Sequence, residues 1–242
     1  MYIDLYLNNI AASTMNVVLK KPPAIVSAPE RGEWIEVAGL DGEYWQSDHA
    51  LANVSIDVEL YAYETADPAA VIMWIRSATA LRWGNNAWEY HIDPRDTQID
   101  LPPWGEMYEC GWEFKITLKV QPYRYRYPAE NMIYMTSNPY TLVNPGTADS
   151  EPLICISSPG EETLQIGGFT VLIADHAERM IINIDCAEKR AYNNNRTVLL
   201  TGMITLVETA DGRWPKLKPG NNLIQWSGDS RLIWITPRWR DR

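Results

Sequence analysis

Trp214-Pro-Lys-Leu-Lys-Pro-Gly-Asn-Asn-Leu-Ile-Gln-Trp226-Ser-Gly-Asp-Ser-Arg-Leu-Ile-Trp234-Ile-Thr-Pro-Arg-Trp-Arg240 reads as turn, strand, turn, strand and stop. In Lys218-Pro-Gly-Asn-Asn222, Pro219 fixes φ and Gly220 allows positive φ, which is turn chemistry. Leu223 to Trp226 is a short apolar run and Ser227-Gly-Asp-Ser230 is a second turn. Leu232 to Ile235 is a nearly unbroken apolar strand, ended by Pro237. Two strands this apolar are not stable in water as a lone hairpin. They are expected to be the closing hairpin of a larger β-sandwich. The basic tail that follows, Arg238-Trp-Arg-Asp-Arg242, reads as a solvated chain end open to a phosphate or an acidic neighbour.

Upstream of this stretch, short strands recur at the 8–12-residue spacing of a sandwich or barrel. They are Leu153–Ile156, Thr163–Ile166, Phe169–Ile173, Met180–Ile184, Val198–Leu200 and Met203–Val207. Gly167-Gly168 and Asn193-Asn-Asn195 mark turns, and helix signals are absent. Before these strands lies Asn144-Pro-Gly-Thr-Ala-Asp-Ser-Glu-Pro152, polar, bounded by proline and rich in turn formers, which predicts a linker.

The first half is different in kind. Ile3, Leu5 and Leu7 share one face of an opening strand, and Met15 to Leu19 resumes after Asn8-Asn9. Trp34-Ile-Glu-Val37 is a further strand, followed by a turn at Gly39-Leu-Asp-Gly42. Val54, Ile56, Val58, Leu60 and Ala62 alternate with polar residues and Tyr, so one face is buried. One helix is predicted next. Asp67 is a good N-cap, Pro68 suits the first helical position, and Val71, Trp74, Ile75 and Ala78 form one stripe. Leu81–Trp83 and Ala87–Ile92 flank Gly84-Asn-Asn86 as a hairpin, and Phe114 to Val120 alternates until Pro122 ends it. The predicted fold class is mainly β: an α+β N-terminal domain with one helix over 1–143, a linker over 144–152, and a β-sandwich over 153–242.

At 242 residues the chain is long enough to bury a core without disulfides. Cys110, Cys155 and Cys186 are odd in number and far apart, with no CxxC or Cys/His pattern, so they read as buried free thiols. Residues 2–7 alternate like a strand and lack the features of a signal peptide, and no apolar run reaches membrane-spanning length. A cytoplasmic site of synthesis is expected. The net charge of -10 argues against an ordinary nucleic-acid binder. It is unevenly spread: 19 acidic and 10 basic residues over 1–140 give -9, while 12 and 11 over 141–242 give -1. The 11 Trp and 13 Tyr against 2 Phe suit half-buried faces and interfaces.

Candidate chemistry is sparse. Glu89, His91 and Asp93 share one strand face, where a metal is conceivable but an ordinary solvated face is the commoner outcome. His49 and His176 add no ligand spacing, and Asp175-His176 has no GxSxG nucleophile to serve. There is no GxGxxG and no P-loop. No residue is assigned a catalytic, cofactor-binding or metal-binding role.

Taken in order, Arg31-Gly32, Asp41-Gly42, the alternating strand 53–63, the helix 67–78 leading into a Trp-containing hairpin, and Val120-Gln-Pro-Tyr123 form a set. Asn144-Pro-Gly146, Glu151-Pro152 and the stretch from Trp214 to Arg240 complete it. In this order they resemble the distal tail protein (Dit) family of long-tailed phages and prophages of Gram-positive bacteria. The resemblance covers nearly the whole chain. It implies an N-terminal domain that assembles as a six-fold ring and a C-terminal galectin-like sandwich outside it. It implies a virion protein, assembled in the host cytoplasm, that is the structural hub at the tail tip. Its implied partners are further copies of itself, the tail tube protein, a tail fibre or tail-associated lysin, and receptor-binding proteins where a baseplate exists. DNA is expected to pass through an acidic channel without specific binding, and no membrane insertion or enzyme activity is implied. Two competing expectations remain: a sugar-binding module using Trp214 or Trp226, and a tail-tip glycosidase with two carboxylates in a cleft.

Overall fold

The computed structural model describes residues 3–39, 41–103, 111–128, 132–158, 160–176, 178–207, 214–227 and 233–242. The protein is mainly β with a single α-helix among the described residues. It divides into two compact units, Met1–Tyr127 together with Arg242, and Pro128–Asp241.

The first unit is an antiparallel sheet with the helix on one face. Strand order runs Ile10–Ala11, Leu5–Leu7, Ala80–Trp83, Trp88–Ile92, Trp112–Arg126, Val54–Ala62 and Val17–Leu19. The alternation read in Val54–Ala62 is realised: Val54, Ile56, Val58, Leu60 and Ala62 all lie in the core. They stand in register with Val120, Leu118, Ile116, Phe114 and Trp112. The helix spans Pro68–Arg76, with the Asp67 carboxylate accepting the Ala69 N–H at 3.0 Å. Its stripe of Val71, Trp74 and Ile75, continued by Ala78, is buried against the sheet. Proline does not end the long strand at 122. Trp112–Arg126 continues past it, with a register shift between Val120 and Arg124 that accommodates the missing N–H.

One element of the first unit stands apart from that sheet. Glu30–Glu36 and Glu43–Leu51 form a two-stranded antiparallel ribbon paired only with itself among the described residues. Its second strand has no counterpart in the sequence reading, because Glu43–Leu51 is polar and lacks an apolar alternation.

The second unit is a sandwich of two five-stranded antiparallel sheets. One sheet is ordered Ile133–Tyr134, Ile233–Thr236, Leu153–Ser158, Met180–Asp185 and Arg190–Tyr192. The other is ordered Tyr140–Asn144, Gly220–Trp226, Glu162–Ile166, Phe169–Ile173 and Ile204–Val207. Ile154, Ile184 and Ile235 from the first meet Leu164, Val171 and Ile224 from the second in one core.

Three expectations are corrected here. The strands of the closing stretch are not a hairpin: Gly220–Trp226 lies in one sheet and Ile233–Thr236 in the other. Each finds its partners far away in sequence, so the stretch ties the two sheets together. The second turn of that stretch, apart from Ser227, falls outside the described residues. Val198–Leu200 is not a strand; it makes an isolated bridge at Leu199, and Val198 and Leu199 are exposed. Residues 144–152 lie inside the second unit, because the units divide at Tyr127/Pro128. Asn144 is buried and its side chain closes a local turn, donating to the Ala148 and Leu217 carbonyls and accepting from the Gly146 N–H. Ser150 bridges to Leu217. Turn-forming residues make a linker and a tight internal corner look alike in sequence, because Asn satisfies backbone groups in both.

Candidate functional site

The residues singled out for chemistry do not converge. His91 stacks on Tyr125 with ring centroids 4.0 Å apart, and burial lowers its pKa against the opposing effect of its hydrogen bond to Gln121. Glu89 stands opposite Tyr125, and its pKa is raised by burial. Asp93 instead caps the turn that follows, taking two hydrogen bonds from the Arg95 guanidinium that pull its pKa down to about 2. His49 contacts Glu30 at 3.1 Å in the ribbon, and His176 lies 2.9 Å from the Ala174 carbonyl oxygen. Among the described residues no group of three or more His, Cys, Asp or Glu is placed to hold a metal. Cys155 and Cys186 are buried free thiols; burial pushes Cys155 up to about 12 and Cys186 higher still. Cys110 lies outside the described residues. Trp214 and Trp226 are partly buried against the sandwich core.

The basic tail is not a solvated end. Arg238 makes a bidentate ion pair with Asp185, at 2.7 and 2.8 Å, and Arg196 reaches the same carboxylate at 2.7 Å. The Asp185 side chain is wholly buried. Burial alone would raise its pKa, but the Arg238 hydrogen bonds, the Glu188 N–H and both guanidinium charges outweigh it and hold it below the usual value. Trp239 is buried in the sandwich core, and Arg240 is buried with its guanidinium on the Asp149 carbonyl and Glu151. Two residues the sequence reading passed over, Asp185 and Arg196, complete this network. Its role is structural, because every charge in it already has a partner within the unit.

The most exposed aromatic side chains among the described residues lie on the ribbon. Trp34 is 62% exposed and Tyr44 64%. Trp34 sits opposite Trp45, with their rings 5.1 Å apart, and Ile35 opposite Tyr44. Gly32 makes this possible: a Cβ there would stand 2.5 Å from the Gln46 carbonyl oxygen and 2.7 Å from the Trp45 ring. Charge is concentrated here too. Residues 30–51 hold six acidic side chains against Arg31, a net -5 out of the -9 over residues 1–140. Arg31 pairs with Asp48, whereas Glu36 and Glu43 face one another directly across the strands. Like charges in that position destabilise a ribbon left to itself. By contrast, Asp57 and Glu59 on the sheet pair with Lys115 and Lys21. A two-stranded ribbon exposed on both sides is marginal in water without a covering surface.

No protein-family model and no curated protein sequence matches the chain. Its fold, however, has a solved counterpart. The crystal structure of SPP1 Dit (gp 19.1), described as a paradigm of the hub adsorption apparatus in phages infecting Gram-positive bacteria, superposes with a TM-score of 0.65. The match covers 97% of this chain and 98% of that one at 12% identity. The fold is that of a Dit hub protein. Both units are included in the match, so the Dit-like fold extends over the first unit and the sandwich alike. The phage P2 baseplate in its activated conformation with Ca also matches, with a TM-score of 0.47 and 10% identity over 100% of this chain and 99% of that one. Among the described residues no helix is long and apolar enough to cross a membrane.

Proposed function

We propose that the protein is a structural hub at the tip of a long phage tail, and not an enzyme. The observation that carries this proposal is the end-to-end match of both units to a hub protein of a phage adsorption apparatus. In this proposal the first unit assembles head-to-tail into a six-fold ring. Rings of this kind close through two different patches on each subunit. The ribbon supplies one patch: Trp34 and Tyr44 are the large half-rigid aromatics that interfaces favour, and the facing Glu36 and Glu43 gain a cation from the neighbouring copy. The sandwich stands as the galectin-like module on which tail-tip partners are mounted. The tail tube protein lies above, and a fibre or tail-associated lysin, with receptor-binding proteins where present, lies below. DNA passes through the ring without specific binding, because the excess acidic charge of the first unit repels phosphates. The virion tail tip is the expected location, after assembly in the host cytoplasm.

Negative-stain electron microscopy of the purified chain, alone and after mixing with the tail proteins encoded beside it, tests the assembly directly. Six-fold rings with an open centre support the hub. A dispersed monomer under all these conditions contradicts it.

A further inference from the structure

The sandwich sheet that contains Gly220–Trp226 has an unusual outward face. Its five strands contain one charged residue, Glu162, and that side chain points inward and is 1% exposed. Every outward position is Thr, Val, Leu, Asn or Gln. A chain with 21% charged residues leaves few exposed sheet faces without a charge. At the centre of the face, Gln165 and Gln225 lie directly opposite one another on adjacent strands. Neither amide is tied to another residue among the described hydrogen bonds, so together they offer two carbonyl acceptors and two NH2 donors. They line a depression of about 300 Å³ with Asn138, Thr163, Trp226 and Ser227, the lower end of the size range of small-ligand sites.

The frame around the depression is held in place. The Asn138 side chain clamps the backbone of Trp226, donating to its carbonyl at 2.6 Å and accepting its N–H at 3.3 Å. Ser227 and Thr163 are linked twice: the Ser227 Oγ accepts the Thr163 N–H, and the Ser227 N–H donates to the Thr163 carbonyl. Two residues along the same strand from Gln225, Leu223 is 50% exposed and supplies apolar surface beside the amides.

We propose that this face binds a neutral glycan. A pyranose ring presents hydroxyl groups that both donate and accept, which matches side-by-side amides and threonine hydroxyls. Its C–H face matches Leu223. The lack of charge selects against anionic polymers such as phosphate- or uronate-containing ones, since desolvating their charges would find no compensation here. The inference concerns the second unit alone and stands whether or not the first unit forms a ring.

Saturation-transfer difference NMR on the full chain tests it, because that readout works for monomer and large assembly alike. The neutral probes are lactose, maltotriose and chitotriose, with trigalacturonate as the anionic control. Transfer to at least one neutral probe and none to trigalacturonate is expected. Gln165→Ala with Gln225→Ala should weaken that binding about tenfold, the loss expected for one to two hydrogen bonds. Gln225→Glu, which keeps the side-chain shape and the fold, should weaken it likewise. Silence from all three neutral probes, or binding unchanged in both variants, overturns the proposal. If Gln225→Glu instead alters only assembly with other tail proteins, the face is a protein contact and the proposal also fails.

Discussion

One wholly buried side chain, Asp185, holds the charge network of the second unit together. Its carboxylate is sealed in the sandwich, and three guanidinium contacts keep it charged. Removing one partner of a buried pair leaves an uncompensated charge, which costs more than the pair contributes. Arg238→Ala is therefore expected to destabilise the second unit by about 3 kcal/mol, less whatever Arg196 recovers. Calorimetry should show a Tm lowered by roughly 10 °C. The same group sets an acid limit. Because the folded pKa of Asp185 lies below its unfolded value, its contribution is fully present above the ordinary carboxylate range. It is lost as pH falls through that range and on through the depressed folded pKa. Chemical denaturation between pH 6 and pH 3 should show stability falling with acid, with a shallower fall in Asp185→Asn measured against its own pH 6 value. None of this was legible in sequence. Arg238 looked like part of a loose basic tail, because the partner that buries it stands 53 positions away.

At the element scale, legibility followed periodicity. Val54–Ala62 and Pro68–Arg76 were readable because a buried sheet face repeats every second residue and a buried helix stripe every three or four. The closing stretch was readable as two strands, but their pairing was not, since an apolar run carries no mark of the sheet it joins. The ribbon shows the opposite limit. Glu43–Leu51 has almost no apolar pattern, and none of its residues is fully buried. Only the tight approach at Gly32 and the positive φ of Gly39 and Gly42 give it away locally. Gly32→Ala should break the ribbon, since a Cβ there meets backbone at 2.5 Å and the Trp45 ring at 2.7 Å. The expected outcome is loss of assembly with the melting of the two units unchanged. A coupled fall in their Tm would mean the ribbon also supports the core.

At the scale of the whole molecule, the two units behave as separate solutions to one problem. The sandwich pairs Asp185, Arg238 and Arg240 internally and keeps one sheet face free of charge. The first unit leaves acidic and aromatic groups unsatisfied on a ribbon that its own sheet does not cover. Sequence showed an imbalance of charge between the halves, and the Dit resemblance carried by the ordered motifs matches the fold found. The boundary, at Tyr127/Pro128, was hidden because Asn144 to Pro152 imitates a linker while serving as a corner.

If the chain assembles through the ribbon, its mass in solution must show it. Light scattering on the purified chain across a range of concentrations should find six copies of the 27.6 kDa chain, about 166 kDa, or a dimer or trimer building toward it. The doubly substituted Trp34→Ser, Tyr44→Ser chain should remain a folded monomer. A wild-type chain that stays at 27.6 kDa at the highest concentration, or a substituted chain that assembles as well as wild type, would contradict it.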